Sequence, residues 1–227
     1  MLSNVSDVTV SGIHGSGANI NSNRNYAGIT HFAGTLNGAD ANVTVIGDVT
    51  EGVVNTDTMA FGVFVEEGTV TLGNINVTNA RQRAIHVGNE GKAATLNAKD
   101  IVIDYSADRG IYMQNKQCAI NVTESISVNK TGNHGVFACG PITVGKDVKI
   151  SNVVVNKNVV NGFHVDAAVK VGGNITVDGV SGTTNAENQG NGIVVTSGGT
   201  LDVEGDVTIK NITTTASNAD EAPVTAA

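Results

Sequence analysis

The sequence of 227 residues has no Trp, two Pro and two Cys, and its Phe and Tyr together number eight. A large core therefore has to be assembled from Val, Ile, Leu and Ala, which favours many thin stacked layers over one centre filled by rings. Basic residues are also scarce: 13 Lys and Arg stand against 21 Asp and Glu, leaving a net charge of −8. No Lys/Arg cluster supplies the concentrated positive charge that nucleic acid and anionic membranes require, so neither is an expected partner. The sequence holds no run of about 18 apolar residues and no basic segment followed by an apolar stretch near Met1, and reads as having no membrane span or export signal of its own. At 40% hydrophobic and 15% charged it is nevertheless apolar enough to fold.

What the sequence does have is glycine, 28 residues of it, and a recurring phrase. A small residue is followed by apolar, any, apolar at Gly62-Val63-Phe64-Val65, Ala84-Ile85-His86-Val87, Gly110-Ile111-Tyr112-Met113, Gly135-Val136-Phe137-Ala138, Gly162-Phe163-His164-Val165 and Gly192-Ile193-Val194-Val195. The spacings are 22, 26, 25, 27 and 30, and a weaker copy stands at Gly28-Ile29-Thr30-His31. Between copies lie two more alternating stretches, such as Val70-Thr71-Leu72 and Ile75-Asn76-Val77, separated by Gly, Asn, Asp and Ser. Three short strands in about 25 residues cannot bury their apolar faces alone, whereas stacked copies can. The pattern predicts an all-β fold, a right-handed parallel β-helix of roughly seven coils with three short strands per coil. A β-sandwich shares the turn signals but does not account for the same three-strand phrase recurring in order. One domain is expected over 1–215, with an irregular N-terminal coil at 1–27 and a small, polar tail or linker at 216–227.

The phrases Ile46-Gly47-Asp48-Val49-Thr50, Gly73-Asn74-Ile75-Asn76-Val77, Gly173-Asn174-Ile175-Thr176-Val177, Gly205-Asp206-Val207-Thr208-Ile209 and Ser197-Gly198-Gly199-Thr200-Leu201 resemble the passenger regions of bacterial autotransporters and related β-helical surface adhesins, over roughly residues 28–215. The resemblance implies a pectin-lyase-like scaffold and a place outside the cell or on the bacterial surface. The chain then reads as a fragment of a larger surface or secreted protein.

On the second and third strands the central outward positions are mostly polar, as on a solvated face. On the first strand that position holds Phe64, His86, Tyr112, Phe137, His164 and Val194. Stacked at ~4.8 Å per coil, the five rings would form a ladder suited to a glycan or a protein partner, or to self-association. The competing reading is that the ladder is covered, or that its rings merely pack on one another. Just before that strand, the turn position holds Phe61, Arg83, Arg109, His134, Asn161 and Asn191. Arg83 and Arg109 join the candidate ligand-binding residues, against the alternative that they are solvated turn charges flanked by Asp104 and Asp108.

No catalytic residue is assigned. Polysaccharide lyases and hydrolases use this scaffold, but no pair of outward carboxylates on adjacent coils is evident beside the rings, so such an enzyme is the alternative to a non-enzymatic structural and adhesive module. No metal or other cofactor is expected: His86 and His164 would lie about 14 Å apart, and His14, His31 and His134 show no ligand spacing with a cysteine. Cys118 and Cys139 fall on neighbouring coils, close enough in register for a disulfide, with two buried thiols as the equal alternative.

Overall fold

The computed structural model describes residues 6–13, 26–49, 59–155, 160–184 and 190–216. Every strand in it pairs in parallel with its equivalent one coil away, and the result is a right-handed parallel β-helix of three sheets. Sheet 1, built from the first strand of each phrase, contains Ala27–His31, Phe61–Val65, Arg83–Val87, Ile111–Met113, Val136–Ala138, Val160–Val165 and Gly190–Val195. Sheet 2 contains Thr35–Gly38, Gly68–Leu72, Ala94–Ala98, Ala119–Val122, Ile142–Val144, Ala168–Val171 and Thr200–Val203. Sheet 3 has, among the described residues, eight strands: Asp7–Ser11, Asn42–Ile46, Ile75–Ala80, Ile101–Ser106, Ile126–Thr131, Val148–Val155, Ile175–Thr184 and Val207–Ala216. Asp7–Ser11 lies within the stretch expected to be irregular, yet it pairs in register with Asn42–Ile46. Most of the C-terminal tail, residues 217–227, lies outside the described residues, as does His14.

The core is a set of aliphatic columns along the axis. In sheet 1 Ile85, Ile111, Val136, Phe163 and Ile193 stack in register. Ile75, Ile101, Ile126, Val148 and Ile175 do the same in sheet 3, and Leu96, Ile120, Ile142 and Val169 in sheet 2. Strand alternation sends these residues inward and their neighbours out. Each fully buried Ile or Leu contributes about 1.5–3 kcal/mol, so a chain nearly without aromatic core residues is held by repetition.

Two features of the phrase have direct physical causes. Its small first residue faces sheet 3 across a narrow interior: a Cβ at Gly135 would lie 2.5 Å from Ile150 Cγ2, and one at Gly162 would lie 2.4 Å from Val177 Cγ1. The Asn or Asp before the third strand lends its side-chain oxygen to the coil above. Asp147 Oδ1 accepts from the Asn174 N–H at 2.7 Å, and Asn174 Oδ1 from the Asp206 N–H at 2.8 Å. Asn42 Oδ1 similarly accepts from the Asn74 N–H at 3.1 Å.

Sheet 3 also holds a bend that repeats in six successive coils. Asn79, Tyr105, Lys130, Asn152, Gly179 and Asn211 all have left-handed φ, between 53° and 78°. Ladder pairing skips this position: Asp104 pairs with Asn129 and Ser106 with Thr131, passing over Tyr105 and Lys130. The extra residue bends the strand as a bulge does, so that Ala80, Ser106, Thr131, Val153 and Val180 turn inward as the chain heads for sheet 1.

A candidate ligand-binding face on sheet 1

Each sheet 1 strand presents two outward residues three positions apart, because ladder pairing breaks at the small residue between them. Phe61 pairs with Arg83 and Val63 with Ile85, but Gly62 and Ala84 form no such pair. The inner column (Phe64, His86, Tyr112, Phe137, His164) and the turn column (Phe61, Arg83, Arg109, His134, Asn161) consequently lie side by side. On five consecutive coils the two residues touch. Phe61 and Phe64 have ring centroids 5.4 Å apart, and Arg83 Nη1 donates to His86 Nδ1 at 3.1 Å. Arg109 Cζ lies 4.9 Å from the Tyr112 centroid, His134 and Phe137 are 5.0 Å apart, and Asn161 Nδ2 donates to His164 Nδ1 at 2.8 Å.

Contacts between coils join these pairs into a band. Phe64 meets His86 edge-on at 4.6 Å, and His86 meets Tyr112 at 5.1 Å. Tyr112 and Phe137 are 5.7 Å apart, and Phe137 stacks on His164 at 4.3 Å with planes 7° from parallel. The ring ladder read from the sequence therefore exists, but its accessibility changes along the rod. Phe61, Phe64 and His86 are buried at 3–6% exposure, whereas Tyr112, Phe137 and His164 are half-buried. Phe64 and His86 are thus not presented to solvent, and the accessible stretch begins at Tyr112.

Arg83 and Arg109 are not freely solvated turn charges either. Each has a side chain 22% exposed and lies over the Tyr112 ring, Arg83 Cζ at 4.2 Å from its centroid. One carboxylate serves both: Asp108 Oδ2 is 3.5 Å from Arg83 Nε and 3.2 Å from Arg109 Nη1. Asp108 is itself held by Asn133 Nδ2, which donates to Oδ1 at 2.8 Å. The turn carrying Arg109 is pinned from inside by buried Ser106, whose Oγ lies 2.8 Å from both Gln82 O and Arg109 O. Asp104 takes no part: it points out from sheet 3 and accepts from Asn129 Nδ2.

The imidazoles are tuned by burial. His86 is held down to about 3 by desolvation, reinforced by Arg83 and Arg109, and His134 to about 4 by desolvation and Arg109. Geometry agrees, since His86 Nδ1 accepts from a guanidinium and His134 Nδ1 from the Asn161 N–H at 3.0 Å. Around His164 the network fixes one tautomer. Asn161 Oδ1 accepts from Asn191 Nδ2, its Nδ2 donates to His164 Nδ1, and His164 Nε2 donates to Asp166 Oδ1 at 2.8 Å. Asp166 also accepts from Thr196 Oγ1 at 2.7 Å; burial works to raise its pKa, but these bonds outweigh it and hold the carboxyl below its usual range.

Cys139 Sγ approaches Asp166 Oδ2 at 4.0 Å, and burial together with that carboxylate pushes its thiol up to about 11. A Cys, a His and an Asp thus meet here without the chemistry of a nucleophile: both His164 nitrogens are committed, and the thiol stays protonated near neutral pH. Cys118 and Cys139 are both free thiols. Cys118 sits beneath Gly140, and its Sγ turns toward Lys92 O and Asn115 Oδ1, while Cys139 turns up toward Asp166 on the next coil. Neighbouring-coil register brings the backbones together but points the sulfurs in opposite axial directions. Among the described residues, no group of three or more His, Cys, Asp or Glu could hold a metal ion.

The sequence reading missed the pairing of the two columns, although the turn residue always stands three before the ring, and it missed Asp108 as the shared partner of the arginines. Set beside known proteins, the chain matches no protein-family model, no curated protein and no solved structure.

Proposed function

We propose that this β-helix is a non-enzymatic structural and adhesive module of a bacterial surface or secreted protein. It meets a glycan or protein partner along the accessible part of the sheet 1 band, at Arg83, Arg109, Tyr112, Phe137 and His164. The observation that carries the reading is the contrast between faces. Sheets 2 and 3 present mainly Thr, Asn, Ser, Lys and Asp, while this band gathers rings and guanidinium groups from five successive coils. Half-buried rings flanked by arginines are the composition of contact surfaces whose energy is concentrated in a few residues. The committed nitrogens of His164 and the protonated Cys139 favour binding over a polysaccharide lyase or hydrolase activity.

The test is a double substitution, Tyr112→Ser with Phe137→Ser, assayed on a panel of glycans and extracellular proteins and for self-association by sedimentation. Both rings touch neighbours, so a loss of about 1 kcal/mol of stability per ring is expected from packing alone. Binding should fall by a further 1 kcal/mol or more per ring. If the folded variant binds and associates as the parent does, the band is sheet packing and the rod a plain spacer.

A further inference from the structure

Around the two arginines of the band the charges do not balance, and this local excess points to a ligand class. Three of the four arginines in this acidic chain, Arg81, Arg83 and Arg109, stand at the same turn of two successive coils. Arg83 and Arg109 lie over one ring and share one carboxylate, Asp108, so among the described residues the pair carries one positive charge without a partner. The neighbouring imidazoles His86 and His134 are neutral and cannot alter that sum near neutral pH.

Among the described residues, the guanidinium donors of this pair with protein partners are those directed at His86 and Asp108. Arg83 Nε faces Asp108 Oδ2 at 3.5 Å without a hydrogen bond and Arg109 Nε is buried with none, so the donors left to meet a ligand are the terminal Nη groups beyond those directed at His86 and Asp108. A guanidinium fork with spare donors, partly removed from water, is matched by a planar or tetrahedral oxyanion. Beside the two forks, on consecutive coils, lie the half-buried rings of Tyr112 and Phe137, whose apolar surface suits the C–H face of a sugar.

We infer that Arg83 and Arg109, spread over Tyr112 and bridged by Asp108, form a binding site for an acidic saccharide, its carboxylate or sulfate group taken by the guanidinium forks and its ring laid against Tyr112 and Phe137. The inference rests on the contact-surface reading above and names the ligand chemistry of that surface. Asp108 then has a second role: it holds the forks in place and competes with the incoming anion, so that removing its charge strengthens the site.

Calorimetric titration of the full chain with hexagalacturonate and a chondroitin sulfate hexasaccharide, against cellohexaose and hexaglutamate, tests this. At least one acidic saccharide should bind, with cellohexaose and hexaglutamate weaker by tenfold or more. Arg109→Gln should weaken acidic-saccharide binding about tenfold, and Arg83→Gln with Arg109→Gln further, while Asp108→Asn should tighten it several-fold. A thermal melt of each variant separates lost binding from lost fold. If the double arginine variant does not fold, Arg109→Gln and Asp108→Asn decide, because a purely structural role for the trio makes both weaken binding.

The inference is overturned if neither acidic saccharide binds, if cellohexaose binds as well as they do, if hexaglutamate matches them, or if Asp108→Asn weakens binding. Should the arginine variants leave binding unchanged while Tyr112→Ser with Phe137→Ser abolishes it, the contact surface stands and the anionic ligand fails. The reverse pattern would sink the ladder and keep the anion.

Discussion

Arg83 Nη1 donates a hydrogen bond to His86 Nδ1 at 3.1 Å, which places a permanent cation against an imidazole nitrogen that must be unprotonated to accept. Arg83 itself has its pKa lowered, chiefly by burial, but guanidinium remains charged at any ordinary pH. The cation wins the contact, and His86 is kept neutral.

This relationship has a thermodynamic signature in acid. His86 and His134 titrate at about 3 and about 4 in the folded chain, below the 6.5 of an unperturbed imidazole. The unfolded chain therefore binds more protons than the folded one once pH drops below about 6.5, and stability falls as pH falls through the window from about 6.5 to 4. Each imidazole adds a slope of about 1.4 kcal/mol per pH unit there, so urea unfolding at pH 5 should show a loss of a few kcal/mol relative to pH 7.5. His86→Gln and His134→Asn, compared with the parent at both pH values, should flatten that dependence. An unchanged slope in both variants would mean that these rings are not held neutral.

The thiols give a simpler check. Cys118 and Cys139 point to opposite coils, and burial raises both thiol pKa values, that of Cys139 to about 11. Unreduced, denatured protein should titrate as two free thiols, and a reductant should leave the melting temperature where it was. In the native state at pH 8 a thiol-specific dye should react slowly, with half-buried Cys139 ahead of Cys118. A count of zero thiols would show that the coils shift to join the sulfurs.

Much of the architecture was legible because its cause is periodic. The inward column Ile85, Ile111, Val136, Phe163, Ile193 is the apolar position of the phrase, and a parallel solenoid puts equal phrase positions in register. The band was half legible. Ring identity at 64, 86, 112, 137 and 164 repeats in the sequence, but burial does not, and nothing in the phrase distinguishes buried Phe64 and His86 from half-buried Tyr112 and Phe137. The role of Asp108 was hidden for a different reason: it belongs to a turn of varying composition, and only the axial rise brings Arg83 from the coil below against it. The left-handed bend left a trace as Asn79, Asn152, Gly179 and Asn211 at one phrase position, obscured by Tyr105 and Lys130.

That bend supplies the last prediction. A non-glycine residue in the left-handed region costs roughly 1 kcal/mol, least for Asn, whose short polar side chain bonds locally. The chain follows this rule at 79, 152 and 211 and departs from it at Lys130, with φ of 53°. The Asn residues also gain a partner on the coil below: Asn152 Nδ2 donates to Asn129 Oδ1 at 2.8 Å, and Asn211 Nδ2 to Asp178 Oδ1 at 2.7 Å. Asp104 stands one coil below Lys130 in the equivalent place, already accepting from Asn129 and with capacity for a second donor. Lys130→Asn should therefore relieve backbone strain and add a hydrogen bond to Asp104, raising stability by about 1 kcal/mol. Lys130→Gly should relieve the strain alone and fall between the two, whereas Asn152→Lys should lose about as much as Lys130→Asn gains. Thermal melts of the three variants in one buffer decide it, and a Lys130→Asn melt below the parent's would show that the lysine side chain contributes more at this corner than its backbone strain removes.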